Sequence, residues 1–538
     1  MVRMSRGQAS QSLKPIRSGW VGALRYLAFA AAATAVATMV RLANMGVPEP
    51  DSFYHFRHAA IYAEKGLFTS AFPWLPLSAF SRYPSDIGYG FHLFLVPFTR
   101  FQSQMFGMQM APVAEIAITM VLVYATLRRH RVAYPFAWPF VIMFGGPTVV
   151  WMLLQTRPQT LTMGLSALLL SVLVTGSVVG AFLCCLAIAF VHLNVVPIIP
   201  VIVAGLAIAK GFSERRWEWR VWAAALAGIA AGLALRPNPL GAASLEWVQI
   251  AVHESIRLRH IPIGFGDEWP PLPLREWHTL VHLMAIWIGV TVTLLVGLAA
   301  SRLRVESEDR TFLWSSFVLS VVCFILTVAF TQRVAPFWVV FAVMFVAKAF
   351  SCFLDPRGHA SGRWLGKRPR ATIALAMVLL FAAMVREWSI ESSIPRLVPM
   401  INPYRMQTVA LWLREHGGKG KIVYNASWDM FPELFFWNPD DRYVWGLDPI
   451  FLYEYDTGLY WKAHHLGAGD GTSQTWGTEG PPAGGREDTY AVLRRDFKAS
   501  AIVVETVRHE PLYRYLSDDP RYLLGVESDG YAVFALGP

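Results

Sequence analysis

The chain of 538 residues is 54% hydrophobic and 16% charged, whereas soluble proteins carry about 25% charged residues. This composition excludes an ordinary soluble protein and indicates a polytopic membrane protein. The net charge of +10 does not indicate a nucleic-acid partner, because the basic residues lie in short clusters between apolar runs. The four cysteines lie within apolar runs, so neither disulfides nor a zinc site is expected.

Eleven apolar runs are long enough, or nearly so, to cross a bilayer. They lie at residues 20–43, 108–127, 134–153, 158–176, 178–193, 195–210, 217–236, 277–300, 311–331, 334–354 and 371–387. The stretch 87–106 contains Pro97 and Arg100, and we interpret it as a helix that lies in or re-enters the outer interface.

Five basic clusters define the predicted orientation. They are the N-terminus and residues 128–131, 210–220, 302–310 and 357–370. All five fall on the cytoplasmic side when the N-terminus is cytoplasmic, as the positive-inside rule requires. The odd number of spans then places the C-terminal region outside a plasma (inner) membrane.

The first outward loop, residues 44–107, contains the segment Pro48-Glu49-Pro50-Asp51-Ser52-Phe53-Tyr54-His55. A short helix is predicted here, with Asp51 as its N-cap and its end near Gly66. At helical spacing one face carries Asp51, Tyr54, His55, His58 and Tyr62, and another carries Phe53, Phe56 and Ala60. Two interpretations are open: the polar face lines a cavity, or Asp51 only caps the helix while the aromatic residues anchor it in the interface.

The last part of the chain, residues 389–538, has the composition of a soluble domain, and residues 1–388 form the transmembrane domain. Helical patterns lie at residues 404–416 and 487–499, and short buried strands are predicted at 421–425 and 501–505. We therefore predict a C-terminal extracytoplasmic α/β domain. Residues 467–485, rich in Gly, Pro and Thr, predict a mobile loop.

The predicted orientation brings polar residues from six segments to the outer side. They are Asp51 and His55, Arg157, His192 and Asn194, Arg236 and Asn238, Asp267 and Glu268, and Arg333. An arginine at mid-bilayer depth costs roughly 2.5 to 3.5 kcal/mol, so arginines at one end of a bundle should be paired or line a wet cavity. Each arginine alone could instead extend to the interface. Together, arginines and carboxylates that face one space indicate a site for a lipid-borne phosphate.

Chemistry at such a site requires a carboxylate that accepts a proton or holds a divalent cation, and cations that stabilise a phosphate leaving group. Asp51 fits the first role, and it is the expected ligand if the reaction uses Mg²⁺ or Mn²⁺. Arg333, with Arg157 or Arg236, fits the second role. The predicted substrate-binding set is His55, Arg157, His192, Arg236, Asp267 and Arg333.

The segment Asp51-Ser52-Phe53-Tyr54-His55 resembles the Asp-x-x-Tyr/Trp-His motif in the first outward loop of the C-type membrane glycosyltransferases (GT-C). This superfamily includes the catalytic subunits of oligosaccharyltransferases and the protein mannosyltransferases. The segments around Arg157, Glu268 and Arg333 also resemble bacterial members. The resemblance implies that Asp51 is the catalytic or metal-holding carboxylate, that Glu268 is a second catalytic acid, and that Arg333 contacts the donor phosphate.

The segment Ser427-Trp428-Asp429 is similar to the Trp-Trp-Asp acceptor motif of oligosaccharyltransferases, but it departs at the first Trp and no Tyr-Gly follows it. The interpretation favoured here is that Ser427 or Asp429 caps a helix.

The resulting hypothesis is a membrane glycosyltransferase that moves a sugar or oligosaccharide from a polyprenyl-(pyro)phosphate donor to a protein, lipid or glycan acceptor on the extracytoplasmic face. The alternative is a lipid-linked saccharide transporter, or a non-catalytic partner in surface glycan assembly, because cationic cavities also carry anionic lipids.

Overall fold

The computed structural model describes residues 17–43, 46–213, 219–266, 268–274, 277, 280–299, 305–354, 400–416, 419–470 and 472–537. The predicted span at 371–387, the basic cluster at 357–370 and the predicted domain boundary at 388 lie outside these ranges.

Sixteen α-helices precede the C-terminal domain in the described residues. They are α1 (Arg17–Ala43), α2 (Asp51–Lys65), α3 (Ala79–Arg82), α4 (Tyr89–Leu95), α5 (Gln104–Arg129), α6 (Trp138–Met143), α7 (Pro147–Leu154), α8 (Gln159–Val174), α9 (Val178–Val191), α10 (Ile198–Ser213), α11 (Trp219–Ala234), α12 (Pro239–Trp247), α13 (His253–Leu258), α14 (Val281–Ala299), α15 (Ser307–Ala329) and α16 (Ala335–Leu354).

Within the described ranges, six helical segments are long and apolar enough to cross a bilayer. They are Gly22–Ala43, Gln104–Arg129, Leu193–Gly211, Val281–Ala299, Asp309–Ala329 and Gln332–Leu354. The pair α7 and α8 adds a seventh if it is one span, although it bends by 106°. Helices α9 and α11 are apolar but shorter. The chain is therefore a multi-pass helical membrane protein, whose described helices give fewer full-length spans than the eleven predicted.

The predicted span at 134–153 is wrong as a single helix. It consists of α6 and α7, which are separated at Gly145-Gly146-Pro147. Proline has no backbone N–H, and glycine is a poor helix former, so this tripeptide interrupts the helical hydrogen bonds. A hydropathy average does not detect such a break.

The helices of the bundle pack in pairs, including α1 with α5, α5 with α8, α9 with α11, and α15 with α16. Gly228 and Gly232 of α11 lie directly against the backbone of α9. A Cβ atom at Gly228 would lie 2.3 Å from the Phe182 carbonyl oxygen, and one at Gly232 would lie 2.5 Å from that of Leu186. These glycines allow the two helix axes to approach closely, as in other membrane helix pairs.

Helix α2 begins and ends close to where the sequence predicts, but Asp51 is not its cap. The Glu49 carboxylate accepts hydrogen bonds from the backbone N–H groups of Asp51 (2.6 Å) and Ser52 (2.9 Å). Glu49 therefore caps the helix, and the Asp51 side chain is free to point elsewhere. The stretch 87–106 contains only the short helix α4, a 3₁₀ turn at Val96–Arg100 and the start of α5, so no separate span lies there.

The C-terminal domain contains a five-stranded sheet, as its α/β pattern predicts. Its helices and strands are α17 (Gln407–His416), β1 (Ile422–Asn425), α18 (Phe431–Trp437), β2 (Arg442–Tyr443), α19 (Ile450–Tyr455), α20 (Thr457–Ala468), β3 (Gln474–Thr475), β4 (Glu487–Asp488), α21 (Thr489–Arg495), β5 (Ala499–Glu505), α22 (Glu510–Asp518), β6 (Tyr522–Ser528) and β7 (Tyr531–Leu536). The sheet order is β2-β1-β5-β7-β6. Strand β1 is parallel to β2 and β5, and β7 is antiparallel to β5 and β6.

The C-terminal domain packs on the segment that the sequence predicts to be the first outward loop. The Phe53 ring of α2 meets the Phe436 ring edge-on at 5.3 Å between centroids. Trp74 Nε1 donates to the Pro439 carbonyl oxygen at 2.8 Å. Helix α2 thus lies between the bundle and the C-terminal domain, with its apolar side covered and the Asp51 end facing a cavity.

Candidate active site

A cavity of about 250 Å³ lies where the first outward loop, the bundle and the C-terminal domain meet. Its polar lining comes from distant parts of the sequence. It comprises Glu49, Asp51, Tyr54, His55, Arg157, Gln159, His192, Asn194, Gln249, Glu268, Arg333, Asp429 and Asp448. Aromatic residues also line it, namely Trp151, Trp269 and Trp428. This combination of aromatic walls and few convergent charges is typical of ligand sites.

Arg157 is held at the sharp bend between α7 and α8, where Pro158 immediately precedes the second helix. The bend is tied to α2, because Thr156 N donates to Ser52 Oγ at 3.2 Å and Trp151 Nε1 donates to the Pro48 carbonyl at 3.2 Å. These bonds place the Arg157 guanidinium beside the start of α2, at the level of the cavity.

The Arg157 guanidinium contacts three carboxylates. Its Nη1 donates to Glu268 Oε2 at 2.6 Å, and its Nη2 donates to Glu49 Oε2 at 3.0 Å and to Asp51 Oδ2. The planar fork of arginine suits such multiple carboxylate contacts, and it suits phosphate oxygens for the same reason.

Glu268 connects the two arginines of the cavity. Its second oxygen, Oε1, accepts a hydrogen bond from Arg333 Nη2. The Glu268 loop is fixed to the start of α16, since Thr331 Oγ1 donates to the Glu268 carbonyl oxygen at 3.2 Å. The Arg333 guanidinium also stacks 3.6 Å above the Trp269 ring, a cation–π arrangement that restrains it further.

The environments of Asp51 and Glu268 separate their pKa values. Burial raises the pKa of Asp51 to about 7, against the opposing effect of Arg157. Burial also disfavours the charged form of Glu268, but Arg157 and Arg333 outweigh it and lower the pKa of Glu268 to about 2. Two carboxyl groups with such different pKa values suit different roles: Asp51 exchanges a proton near neutral pH, and Glu268 remains a fixed anion.

No protein-family model and no curated protein matches the sequence. Solved structures do match. ArnT from Cupriavidus metallidurans in the apo state aligns over 97% of this chain and 100% of its own, with 12% identity and a TM-score of 0.54. Its complex with undecaprenyl phosphate gives 13% identity and a TM-score of 0.52. The mycobacterial arabinofuranosyltransferase AftD aligns over 95% of this chain, but over only 40% of its own length, with 16% identity and a TM-score of 0.53.

The chain has a GT-C fold. The resemblance in the first outward loop is therefore matched by the arrangement of most of the chain. At these identities the match establishes the fold alone, and the roles of the GT-C site residues are argued below from the cavity itself.

The predicted site residues of this GT-C chain divide into three groups. Asp51, His55, Arg157, His192, Glu268 and Arg333 all line the cavity. Asp267 lies outside the described residues. Arg236 is not part of the cavity lining: its guanidinium donates to the backbone carbonyls of Asp86 (2.8 Å), Ile87 (3.0 Å), Ala189 (2.9 Å) and Phe190 (2.9 Å). Both terminal nitrogens of Arg236 thus donate to backbone carbonyls, and the side chain joins the first outward loop to the end of α9. The predicted contact between Arg236 and a phosphate is therefore wrong for this arrangement.

Several residues of the site were not predicted as site residues. Glu49 is 5% exposed and contacts Arg157; its position between two prolines, two residues before Asp51, was the available signal. Asp448 lines the cavity from the C-terminal domain, and burial raises its pKa to about 6. His92 and Asp86 form a buried group behind His55, and no local sequence pattern marks them.

The segment Ser427-Trp428-Asp429 does not cap a helix through a side chain, contrary to the favoured interpretation. Ser427 Oγ donates to Asp429 Oδ1, and Asp429 Oδ2 accepts from Arg508 Nη1 at 2.6 Å. Trp428 and Asp429 reach the cavity wall. The segment thus forms part of the cavity wall.

The carboxylates of Glu49, Asp51 and Glu268 are the kind of oxygen donors that Mg²⁺ and Mn²⁺ bind. In this arrangement, however, all three are directed at the Arg157 guanidinium, which supplies the positive charge between them. A cation held by Asp51 would need Arg157 to move away first. The arrangement therefore does not fit a resident divalent cation, and the chemistry below is derived from the side chains alone.

Proposed function

We propose that this chain is a membrane glycosyltransferase that uses a polyprenyl-phosphate-linked sugar as its donor. One observation carries this proposal: in a GT-C fold, the Asp51 carboxyl group and two arginines line the same cavity, with Arg157 in contact with Asp51. The volume of about 250 Å³ is smaller than that of most ligand sites and favours a single sugar over an oligosaccharide.

The geometry supports a direct displacement. The acceptor hydroxyl attacks the anomeric carbon, its proton passes to the Asp51 carboxylate, and the bond between the anomeric carbon and the phosphate oxygen breaks. The bonding electrons leave with the phosphate, and Arg157 and Arg333 stabilise the charge that develops on it. The polyprenyl phosphate is the second product.

Before transfer, the donor phosphate must compete with carboxylates for the two arginines. Glu268 accepts a hydrogen bond from each guanidinium group, one at each carboxylate oxygen. The two cations are therefore already oriented when the phosphate arrives. Part of the Arg157 contact with Asp51 is then replaced by phosphate, which frees Asp51 to accept the proton. The acceptor approaches on the side of Trp428 and Asp429, and we place this reaction at the extracytoplasmic face of the plasma (inner) membrane.

The test uses purified full-length protein in lipid nanodiscs with radiolabelled undecaprenyl-phosphate sugars. Asp51→Asn is expected to abolish transfer while the protein keeps its elution volume and melting temperature. The matched control is Asp518→Asn, at an exposed position at the end of α22, which should leave transfer unchanged. Unchanged turnover in Asp51→Asn would remove Asp51 from the chemistry. In liposomes that contain the same protein, movement of the labelled lipid between leaflets without release of polyprenyl phosphate would instead identify a transporter.

A further inference from the structure

A chain of hydrogen bonds runs from a buried carboxylate to the cavity wall. His92 Nδ1 lies 2.6 Å from Asp86 Oδ2, and His92 Nε2 lies 2.7 Å from His55 Nδ1. Asp86 and His92 are buried, whereas His55 lines the cavity. The interactions of Asp86 and His92 therefore determine how the His55 ring presents itself to a bound molecule.

The Asp86 carboxylate can act only as an acceptor in this chain. Its Oδ1 accepts from Gly88 N at 2.9 Å, and its Oδ2 accepts from the Tyr62 hydroxyl at 2.8 Å in addition to His92. Three donors thus converge on one buried carboxylate, which is the pattern of an ionised group. The Arg236 guanidinium, bonded to the Asp86 backbone carbonyl, supplies a compensating positive charge nearby.

The direction of the remaining bonds follows from this. Because Asp86 accepts, His92 Nδ1 carries a proton and donates it. The Arg236 guanidinium already balances the Asp86 charge, so we take His92 to carry this proton alone, with a lone pair on Nε2. That lone pair can accept only if His55 carries its own proton on Nδ1. Burial lowers the pKa of His55 well below its usual range, so the ring is neutral. The nitrogen left for the cavity, His55 Nε2, is then an acceptor.

We propose that His55 Nε2 is a fixed hydrogen-bond acceptor for one hydroxyl group of the donor sugar. This inference rests on the proposed function and adds the part of the substrate that His55 recognises. A hydroxyl of the sugar can donate to this nitrogen, whereas a fluorine atom at the same carbon cannot. The lone pairs of the fluorine would face the lone pair of His55 Nε2, which is unfavourable. Asp86 and His92 act as positioning residues, since they fix which His55 nitrogen carries the proton.

Asp86→Asn should reverse the polarity of the chain. The backbone N–H of Gly88 can only donate, so it holds the new amide oxygen on its own side. The amide nitrogen then faces His92 and donates to its Nδ1, which moves the His92 proton to Nε2 and the His55 proton to Nε2 in turn. The same cavity would present a donor in place of an acceptor, with little change in shape.

The experiment measures binding of undecaprenyl-phosphate mannose and arabinofuranose, and of their monodeoxyfluoro analogues, to the full-length protein in nanodiscs. In the wild type, fluorine at one ring position should weaken binding by roughly 10- to 100-fold. In Asp86→Asn the penalty at that position should disappear. His92→Gln is the matched control: its amide nitrogen can donate to Asp86 and its oxygen can accept from His55, so the wild-type pattern should persist.

If the wild type binds these lipids but no fluorine penalty depends on residue 86, the inference is wrong and the proposed function stands. If the wild type binds none of them, the proposed donor class itself is wrong.

A second measurement reads the proton position directly and needs no substrate. In protein labelled with ¹⁵N-histidine, the His55 signals, assigned by their absence from His55→Gln, should show a protonated Nδ1 and an unprotonated Nε2. A protonated Nε2 in the wild type would overturn the inference. This measurement does not depend on whether Asp86→Asn folds. Stoichiometric zinc that is lost in His58→Gln would overturn it as well: the donor atoms of His58, Asp86 and His92 lie within 4.8 Å of one another, and a metal on His92 Nδ1 would leave Nε2 as a donor.

Discussion

Arg157 balances the charges of three carboxylates, and its contribution to stability follows from that position. Without the guanidinium, Glu49, Asp51 and Glu268 would face one another across a partly buried cavity. Arg157→Gln should therefore lower the free energy of unfolding by about 3 kcal/mol. Melting temperatures in detergent test this, with Arg414→Gln, at an exposed position on α17, as the control. Equal melting temperatures for the two variants would contradict the role given to Arg157.

The two acidic residues of the cavity respond differently to pH, and this predicts the pH profile of the reaction. Asp51 accepts a proton only when ionised, and its pKa is about 7. Transfer, measured as kcat/KM, should therefore rise about tenfold for each pH unit below about pH 7 and level off above it. Glu268, with a pKa of about 2, stays ionised over this pH range and cannot cause the rise in kcat/KM. A flat profile between about pH 5 and about pH 8 would assign proton acceptance to another group.

The pKa shifts of Asp51 and Glu268 make the stability of the protein depend on pH in opposite directions. The folded-state pKa of Asp51 lies above its ordinary value of 3.8, so the folded protein binds this proton more tightly than the unfolded chain does. The contribution of Asp51 to stability is therefore present at low pH and is lost as the pH rises from about 4 to about 7. Glu268 has a lowered pKa, and its contribution is lost as the pH falls from about 4.5 to about 2.

At the scale of secondary-structure elements, the pair α9 and α11 positions two parts of the site. His192 follows α9, and Arg236 follows α11 and binds the end of α9. Gly228→Ala would place a Cβ atom 2.3 Å from the Phe182 carbonyl, and the resulting overpacking should cost about 1 to 3 kcal/mol.

The matched control for this pair is Gly211→Ala in α10, where a Cβ atom meets nothing within 4 Å. Alanine favours helix over glycine, so Gly211→Ala should be neutral or slightly stabilising. Melting temperatures of the two variants in the same detergent compare them directly. If Gly228→Ala were as stable as Gly211→Ala, close packing of α9 on α11 would be excluded.

The elements that the sequence predicts well are those set by local pattern. Helix α2 and strand β1 lie within one or two residues of their predicted positions, because capping groups, glycine and short buried runs mark their ends. The break between α6 and α7 escapes prediction, since a hydropathy window averages across Gly145 and Gly146. The break between α7 and α8 coincides with the gap between the predicted runs 134–153 and 158–176, but hydropathy does not predict its angle of 106°. Residues that reach the cavity from helix ends were predicted from charge at the ends of apolar runs, which is a local signal too.

The parts of the site that the sequence does not predict depend on contacts between distant segments. Asp86 reaches His55 only through His92, and Arg236 turns toward backbone carbonyls instead of the cavity. Both outcomes are decided by how α4 and α9 pack, and a side chain at the end of an apolar run can turn either way at similar cost. Charge and position alone therefore could not separate Arg236 from Arg157.

At the scale of the whole molecule, the C-terminal domain forms part of the cavity wall. Trp428, Asp429, Leu447 and Asp448 line the cavity opposite the residues of the bundle. Contacts between α2 and α18 and the bond from Trp74 to Pro439 hold the domain in this place. The site is thus complete only when both parts of the chain are docked, so the side of the membrane on which this domain lies determines where the reaction occurs.

The predicted orientation can be tested with cysteine labelling, because the native thiols give little background. Cys184, Cys185, Cys323 and Cys352 are all buried in apolar helices, where a membrane-impermeant maleimide cannot reach them. Asp518→Cys, on the exposed end of α22, should be labelled in intact spheroplasts. Gly211→Cys, near the basic cluster at 210–220, should react only after the membrane is permeabilised. The reverse pattern would place Asp51, Arg157 and the C-terminal domain on the cytoplasmic side, and acceptors outside the cell would then be excluded.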